Sequence, residues 1–448
     1  MQASETKFQR PQKLKSPPDP GDFSFLQTPA LLWFRQDLRL TDHPGLLSLE
    51  QHPCASFVYV DEAYASWFTP GAAQRALIKK QLQHLEATLR SKGHGIGWIT
   101  SDSPDDTFEQ LLVYAKQHGF GTIYTTEHAH PSQWLSELGW IDKAKAHGIT
   151  LKTFEDRWLL PPKYKPTLST FHHLYEYAEE KLALANYVPP NWDKVKPHPH
   201  VPPPLTLTYA KWEQDLLQFF KTPEHTMQRW QQRQSFYLVE PERLDKTANS
   251  DLSSYLAIGA ISPREAWYSS IQTAFQRQLM VREFASHWLI QHPQGYLQSM
   301  EPELYTIQWN PDAIESWKTA HTDHGLINAG MQELWKTGRM HNRARMIAGH
   351  HLTKTLKQPW QVGAEWFWHT LTDADLANNA IGWQWVAGTG LDRTPHRSFN
   401  YAKQTQQYDP HGLYRDKHLT TPAKIFTQDC PSLWTFSPDP THFRHGRS

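Results

Sequence analysis

The sequence predicts an α/β domain followed by an all-α domain. Three observations carry this reading: five short β-rich runs that alternate with helical patterns in the first third, a proline-rich stretch after them, and helical periodicity without strands from about Leu205 onward. The runs are ALLWF (Ala30 to Phe34), ASFVYV (Ala55 to Val60), IGWIT (Ile96 to Thr100), TIYTT (Thr122 to Thr126) and ITLKTF (Ile149 to Phe154). Each is short and β-rich and reads as a buried strand. Between them lie helix-period segments such as AAQRALIKKQLQHLEATLRSKG, ending at Gly93, and DDTFEQLLVYAKQHG, with Ser103 and Pro104 as its start and Gly119 as its stop. Alternation of this kind requires right-handed βαβ crossovers. It therefore gives a Rossmann-like, doubly wound parallel sheet whose ligands lie beyond the strand C-termini.

The boundaries follow from composition. Residues 1–29, with scattered charge and a PPDP cluster, read as a flexible leader; 30–160 form the α/β domain, 161–225 a connector, 226–420 the helical domain and 421–448 a tail. The connector contains PPKYKP near Pro161 and VKPHPHVPPP from Val195 to Pro204, and should be an extended surface crossing. His198 and His200 within it lack further identifiable ligands, so no metal site is assigned. Helical segments should break at Gly259, Pro263, Pro293 and Pro311.

A chain of 448 residues is too long for one small module, and 45 Lys+Arg against 45 Asp+Glu exclude disorder driven by net charge. Two cysteines, Cys54 and Cys430, cannot build a disulfide framework, a four-cysteine zinc site or an all-cysteine cluster. The mean hydropathy is -0.66, with no apolar run of the roughly 20 residues a bilayer needs, and the leader has no apolar core for a secretory signal. A cytoplasmic placement is expected, with an organellar address for the leader as the alternative. The 20 Trp, 17 Tyr and 20 Phe must fill cores or stack on something flat.

The segment LLWFRQDLRLTDHPGL (Leu31 to Leu46) joins a first strand to an Arg/Asp-rich turn without the G-x-G-x-x-G of nicotinamide dehydrogenases. It resembles the opening of the DNA photolyase and cryptochrome family. MHNRARM (Met340 to Met346) and DADLANNAIGWQWVAG (Asp373 to Gly388) resemble that family's flavin-pocket signature, in the same order, so the resemblance runs from about Ala30 to Leu419. It implies a folded-back FAD in the helical domain. NSDLSSYLAIGAISPREAW then matches the phosphate-cradling turn, with Asn249, Ser250, Leu252 and Ser253 as donors, and Tyr237 matches a pocket tyrosine. Arg345 and Asp373 match a salt bridge over the isoalloxazine, Asp375 and Arg282 are further cofactor positions, and Asn379 is the amide facing flavin N5. Read without the resemblance, DADLANN is an acidic helix start and NSDLSS an N-cap cluster. Trp383, Trp360 and Trp309 match the family's three-tryptophan relay for photoreduction.

The lesion side departs from the pattern. In the helix reading QLMVREF, Gln278 stands where repair of cyclobutane dimers uses a Glu, and Val281 where a Trp stacks on the flipped bases. Arg339 replaces a further Trp, Asn328 an acidic residue and Pro241 a basic one, whereas Asn342, Arg343, Met346 and Gln404 keep the cyclobutane-type pattern. The resemblance thus implies a photoactive flavoprotein with weakened dimer repair: a cryptochrome-like photoreceptor, or alternatively a photolyase with altered lesion contacts. Its partners would be UV-damaged or undamaged DNA, or a signalling protein. EHAHPSQWLSEL, with Ser132 and Gln133, does not match the Asn-Glu pair of folate-binding relatives. Folate is not supported as antenna, and a deazaflavin or no antenna both stay open.

Overall fold

A computed structural model describes residues 24–64, 66–128, 130–160, 171, 174–175, 189–238, 243–246, 249–301, 307–391 and 399–419. Residues 1–23 of the leader, the PPKYKP stretch, Pro241 and the tail lie outside these residues; the last part of the leader is not loose, since Ser24–Gln27 form a 3-10 turn and the Thr28 carbonyl lies 2.8 Å from the His52 ring. Five strands, β1 (Ala30–Phe34), β2 (Ala55–Glu62), β3 (Ile96–Ser101), β4 (Thr122–Thr126) and β5 (Thr150–Phe154), form one parallel sheet in the order β3-β2-β1-β4-β5. The register pairs Ala30 with both Ala55 and Thr122, so the chain order reverses between β1 and β4. β1 and β4 are buried along their whole length, which explains their unbroken apolar or small-residue runs.

The crossovers are α1 (Pro44–Leu49), α2 (Ala72–Arg90), α3 (Pro104–Gln117) and α4 (Pro131–Ala146). Ser103 Oγ accepts the Asp106 N–H at 3.2 Å and Pro104 opens the helix, so the expected start of α3 is built as a side-chain cap. Gly119, with φ +76°, closes it in a conformation that favours glycine. Phe108, Leu111, Leu112 and Ala115 of α3 pack on Leu31, Trp33, Val58 and Ile123 of the sheet.

The connector departs partly from an extended surface crossing. Val195 is buried, Ala55 N–H donates to Lys196 O at 2.8 Å, and His198 N–H donates to Ala55 O at 3.0 Å, so the chain docks as an added bridge at the start of β2. The His200 ring stacks on His118 at 3.8 Å.

The last part of the expected connector is helical, with α5 (Lys211–Leu217) and the start of α6 (Pro223–Arg233); then come α7 (Ser253–Ala257), α8 (Pro263–Tyr268), α9 (Thr273–Gln291), α10 (Pro311–Lys318), α11 (Gly325–Thr337), α12 (Asn342–His350), α13 (Trp360–Thr370), α14 (Leu376–Ala387), α15 (Tyr401–Tyr408) and α16 (Leu413–His418). Among the described residues no strand follows β5. Pro263 and Pro311 occupy first-turn positions of their helices, and Gly259 has φ +67°. A π-helical turn, His351–Thr355, continues α12.

Two compact units emerge, each discontinuous in sequence. The first comprises residues 1–69, 78–207 and 255–293, and the second 70–77, 208–254 and 294–448. Within the first, buried Asp156 pairs with Arg39, and Arg264 Nη2 reaches its second oxygen at 2.8 Å. Asp42 takes Arg264 Nε at 3.1 Å. Glu283 of α9 accepts the backbone N–H groups of Leu159 (2.9 Å) and Leu160 (3.2 Å). The segment after β5 is thus tied by polar contacts to both α8, through Asp156, and α9, through Glu283.

Candidate functional site

In the second unit one threonine draws three sequence motifs together. Thr372 directly precedes Asp373 of DADLANN; its N–H and Oγ1 both reach the Gly338 carbonyl at 2.9 Å, just before Arg339 and MHNRARM. Ser254 Oγ, in NSDLSS, lies 2.8 Å from Thr372 Oγ1. Since that hydroxyl spends its single proton on Gly338, Ser254 is the donor. Gly338 sits at φ +64°, and a Cβ there would meet Thr372 Cγ2 at 2.7 Å, so the close approach needs glycine.

Around this hub the expected cofactor residues take defined places. Arg345 forks onto Asp373, its Nη2 at 2.8 and 3.1 Å from the two carboxylate oxygens, while its Nε holds Met340 O at 2.8 Å. With Nη2 on the carboxylate and Nε on the Met340 carbonyl, the guanidinium is held from two sides. Asp375 caps α14, one oxygen accepting Asn378 N–H at 2.9 Å and its side-chain amide at 2.7 Å, so the plain helix-start reading of this residue holds as well. Asn379 Nδ2 donates to Ala364 O at 2.9 Å, which fixes the amide orientation. In the turn, Leu252 is fully buried and its N–H donates to Ser250 Oγ at 3.3 Å; Asn249 and Ser253 are exposed. Tyr237 meets Trp230 edge-on at 5.4 Å, and burial raises its phenol pKa. Arg282 belongs to the first unit, where it reaches Arg157 O and pairs with Glu283, each at 3.2 Å.

Of the three expected relay tryptophans, two are buried and one is half-buried. Trp383 is 4% exposed and packs so tightly on α13 that a Cβ at Gly363 would lie 2.1 Å from its ring. Trp360, at the start of α13, is fully buried with its indole N–H on Ser299 Oγ at 2.8 Å. Trp309 is half-buried in a segment pinned to the residues just before Trp360: Gln308 N–H donates to Lys357 O and Asn310 N–H to Gln358 Oε1, both at 3.0 Å. The edge of Trp317 also faces Trp383, at 6.1 Å, a neighbour that sequence reasoning missed.

On α12, Asn342, Arg343 and Met346 share one face: Asn342 Nδ2 and Arg343 Nη1 approach Met346 Sδ at 3.9 and 3.7 Å. Arg343 lies over Tyr408 at 4.8 Å, and Gln404 stands one turn earlier on the same α15. Arg339 lies 3.6 Å from Asp251 and over Phe220 at 4.1 Å. Asn328 turns inward instead, its amide bonding Thr322 through both backbone and hydroxyl. In the first unit, Gln278 and Val281 are both exposed, three residues apart on one face of α9.

Beyond β1 and β4, where the strand order reverses, Arg35 Nη1 donates to Thr126 O at 3.0 Å and pairs with buried Glu137 at 2.5 Å. Burial raises the Glu137 pKa against the pull of Arg35. His128 is held well below the usual histidine range by burial and then by Arg35 and Arg157. Gln133 lies on α4 nearby in sequence; the Ser132 side chain falls outside the described residues.

Thr372, Gly338, Ser254 and Asp251 were not legible as site residues. Asp251 and Ser254 stand inside the NSDLSS motif without a role of their own, and Thr372 and Gly338 offer only adjacency to a motif and a glycine after a helix.

A two-domain architecture with a parallel sheet and a helical flavin module is the class these features define. Residues 30–181 match the family model described as DNA photolyase, and residues 275–444 that of the FAD binding domain of DNA photolyase. A deoxyribodipyrimidine photo-lyase of Thermus thermophilus is 30% identical over 86% of this chain and 91% of its own. Cryptochrome-2 of Arabidopsis thaliana is 26% identical over 91% of this chain and 72% of its own. The crystal structure of a class III photolyase from Agrobacterium tumefaciens superposes with TM-score 0.78 at 27% identity, covering 88% of this chain and 86% of that one. The chain belongs to the DNA photolyase and cryptochrome family, and its helical part is that family's FAD-binding domain. Three motif segments joined at Thr372, a forked Arg345 and exposed donors at Asn249 and Ser253 fit a cofactor carrying both a ring and phosphates. No helix among the described residues is long and apolar enough to cross a membrane.

Proposed function

We propose that this protein is a blue-light photoreceptor of the cryptochrome kind, photoreduced through Trp383, Trp360 and Trp309, with weakened repair of cyclobutane dimers. FAD, when bound, supplies the chromophore and the electron acceptor. The tryptophans supply electrons: Trp360 refills Trp383, and Trp309, with access to water, refills Trp360. The contrast between half-buried Trp309 and the two buried indoles supports its place at the outer end of the chain. Arg345, Asp373 and Asn379 hold the flavin-side groups; Asn249, Ser250, Leu252, Ser253 and Tyr237 line the remaining cofactor contacts, together with Asp375.

The observation that carries the sensor reading is the pair Gln278 and Val281. A glutamine supplies no carboxylate or acid proton to a lesion, and an exposed valine offers no ring on which flipped bases can stack, an interaction worth about 1–3 kcal/mol per base. A second reading, a photolyase with altered lesion contacts, draws on Asn342, Arg343, Met346 and Gln404 keeping the cyclobutane-type pattern and on the relatives named photo-lyases.

Light-dependent repair of a thymine cyclobutane dimer in DNA separates the two. Little repair is expected of the natural chain, and partial gain of repair in the Gln278→Glu, Val281→Trp double variant. Both positions face solvent, so the larger ring can be accommodated without overpacking. Efficient repair by the unaltered protein would replace the sensor reading with the enzyme.

A further inference from the structure

We propose that Arg339 is a phosphate-binding residue of the flavin site, engaging a pyrophosphate oxygen of FAD with donors that the protein leaves unfilled. The proposal rests on the reading of Asn249–Ser253 as the phosphate turn.

A guanidinium has five N–H donors, and among the described residues none of those of Arg339 makes a hydrogen bond. Its Nη1 stands 3.6 Å from Asp251 Oδ1, close enough for charge pairing and too long for a hydrogen bond, and its Nε is sealed from water without a partner. A buried, unfilled donor on a charged group is costly unless an acceptor arrives with a ligand.

The side chain is nevertheless held in place. Its guanidinium carbon lies over the ring of buried Phe220 at 4.1 Å, and its backbone N–H donates to Thr337 Oγ1 at 3.1 Å. The preceding Gly338 carbonyl is bound by Thr372, which is tied in turn to Ser254. The same hub that fixes the turn therefore fixes the backbone from which Arg339 projects.

Asp251 belongs to the turn itself, with φ +60°, an uncommon backbone for a residue with a side chain. Its carboxylate also takes Arg229 Nη1 at 3.2 Å. Two cations against one carboxylate leave a net positive charge beside exposed Asn249 and Ser253. Asp251 thus positions Arg339 without neutralising the pair. A fork of planar donors suits phosphate oxygens, and the tryptophan that the family pattern carries at this position offers neither charge nor fork.

The test uses the full chain stripped of flavin and titrated with FAD and with riboflavin, which has the ring and lacks the phosphates. Arg339→Met keeps the unbranched stem over Phe220 and removes the charge; Arg339→Lys keeps the charge and removes the fork. The FAD-to-riboflavin affinity ratio should fall about ten- to a hundredfold in the methionine variant, the value of one charge-assisted contact, and recover in part with lysine. Riboflavin affinity should stay near wild type in both, which also reports that they fold. An unchanged ratio would overturn the proposal, as would an equal loss of both flavins that lysine does not rescue. An unchanged ratio with a shallower salt dependence of DNA binding would assign the contact to a DNA phosphate instead. A wild-type chain that does not prefer FAD over riboflavin would fail the turn reading itself.

Discussion

Thr372 and Gly338 are joined twice, through the N–H and the hydroxyl of the threonine to a single carbonyl, each at 2.9 Å. That carbonyl ends α11, where backbone acceptors lack intrahelical partners. Because Ser254 adds its own hydroxyl to Thr372, segments more than a hundred residues apart in sequence are registered by one buried side chain.

Thr372→Val keeps shape and removes the hydroxyl, so Ser254 loses its acceptor and Gly338 one of its two donors. A loss of about 1–3 kcal/mol in urea unfolding is expected, with faster release of FAD. A change below about 0.5 kcal/mol would show that the hub is replaceable.

Trp383→Phe removes the indole nearest the expected flavin while leaving Phe367 and Gly363 room to close on a smaller ring. Photoreduction with an external donor should slow by about tenfold or more, since a phenyl ring is much harder to oxidise, and flavin content should stay near wild type. Unaltered photoreduction would move the electron route elsewhere, with Trp317, 6.1 Å from Trp383, the first residue to examine.

Asp156→Ala strips the shared partner from Arg39, which is 3% exposed, and from Arg264. Removing one member of a buried ion pair leaves an uncompensated charge and typically costs about 3–5 kcal/mol. Urea unfolding followed by circular dichroism should show this loss, and a variant as stable as the natural chain would mean that Asp42 alone compensates Arg264 and water reaches Arg39.

Burial holds His130, His351, His369 and His418 at about 4, against an ordinary 6.5. Folded values below unfolded ones mean that the unfolded chain binds more protons between pH 4 and 6.5. These groups' contribution to stability is therefore complete above about pH 6.5 and is lost as pH falls toward 4. Glu333 and Glu137, raised by burial, act oppositely: their contribution is greatest when protonated and declines as pH rises through their raised values. With the histidines outnumbering them, unfolding near pH 5.5 should take up protons, as calorimetry in buffers of different ionisation enthalpy would measure. Net proton release would contradict the burial of these rings.

Much of this was legible in advance. The strand runs ALLWF and TIYTT became β1 and β4 without shift, because a strand buried on both faces leaves an unbroken run. Ser103 and Pro104 announced α3 because capping is a local interaction. The connector was less legible: a proline-rich composition says that backbone donors are few, and the docking of Lys196 and His198 on Ala55 is a tertiary choice. Within the candidate site, motif residues with charged or amide side chains stand out by pattern. Thr372 and Gly338 could not, since a threonine and a glycine acquire their role only from a contact across distant sequence.

The discontinuity of the two units bears on how the chain is made. Asp156 ends the β-rich region but finds Arg264 only 108 residues later, and Leu159 waits 124 residues for the carboxylate of Glu283. On a ribosome emitting the chain from its N-terminus, the first unit cannot close its polar network until residue 293 has emerged, by which point residues 208–254 of the second unit are already outside. Translation pauses or chaperone engagement in that interval would therefore act on both units at once, and pulse proteolysis of stalled nascent chains should find the sheet protease-sensitive when synthesis is halted near residue 250 and resistant once it has passed α9.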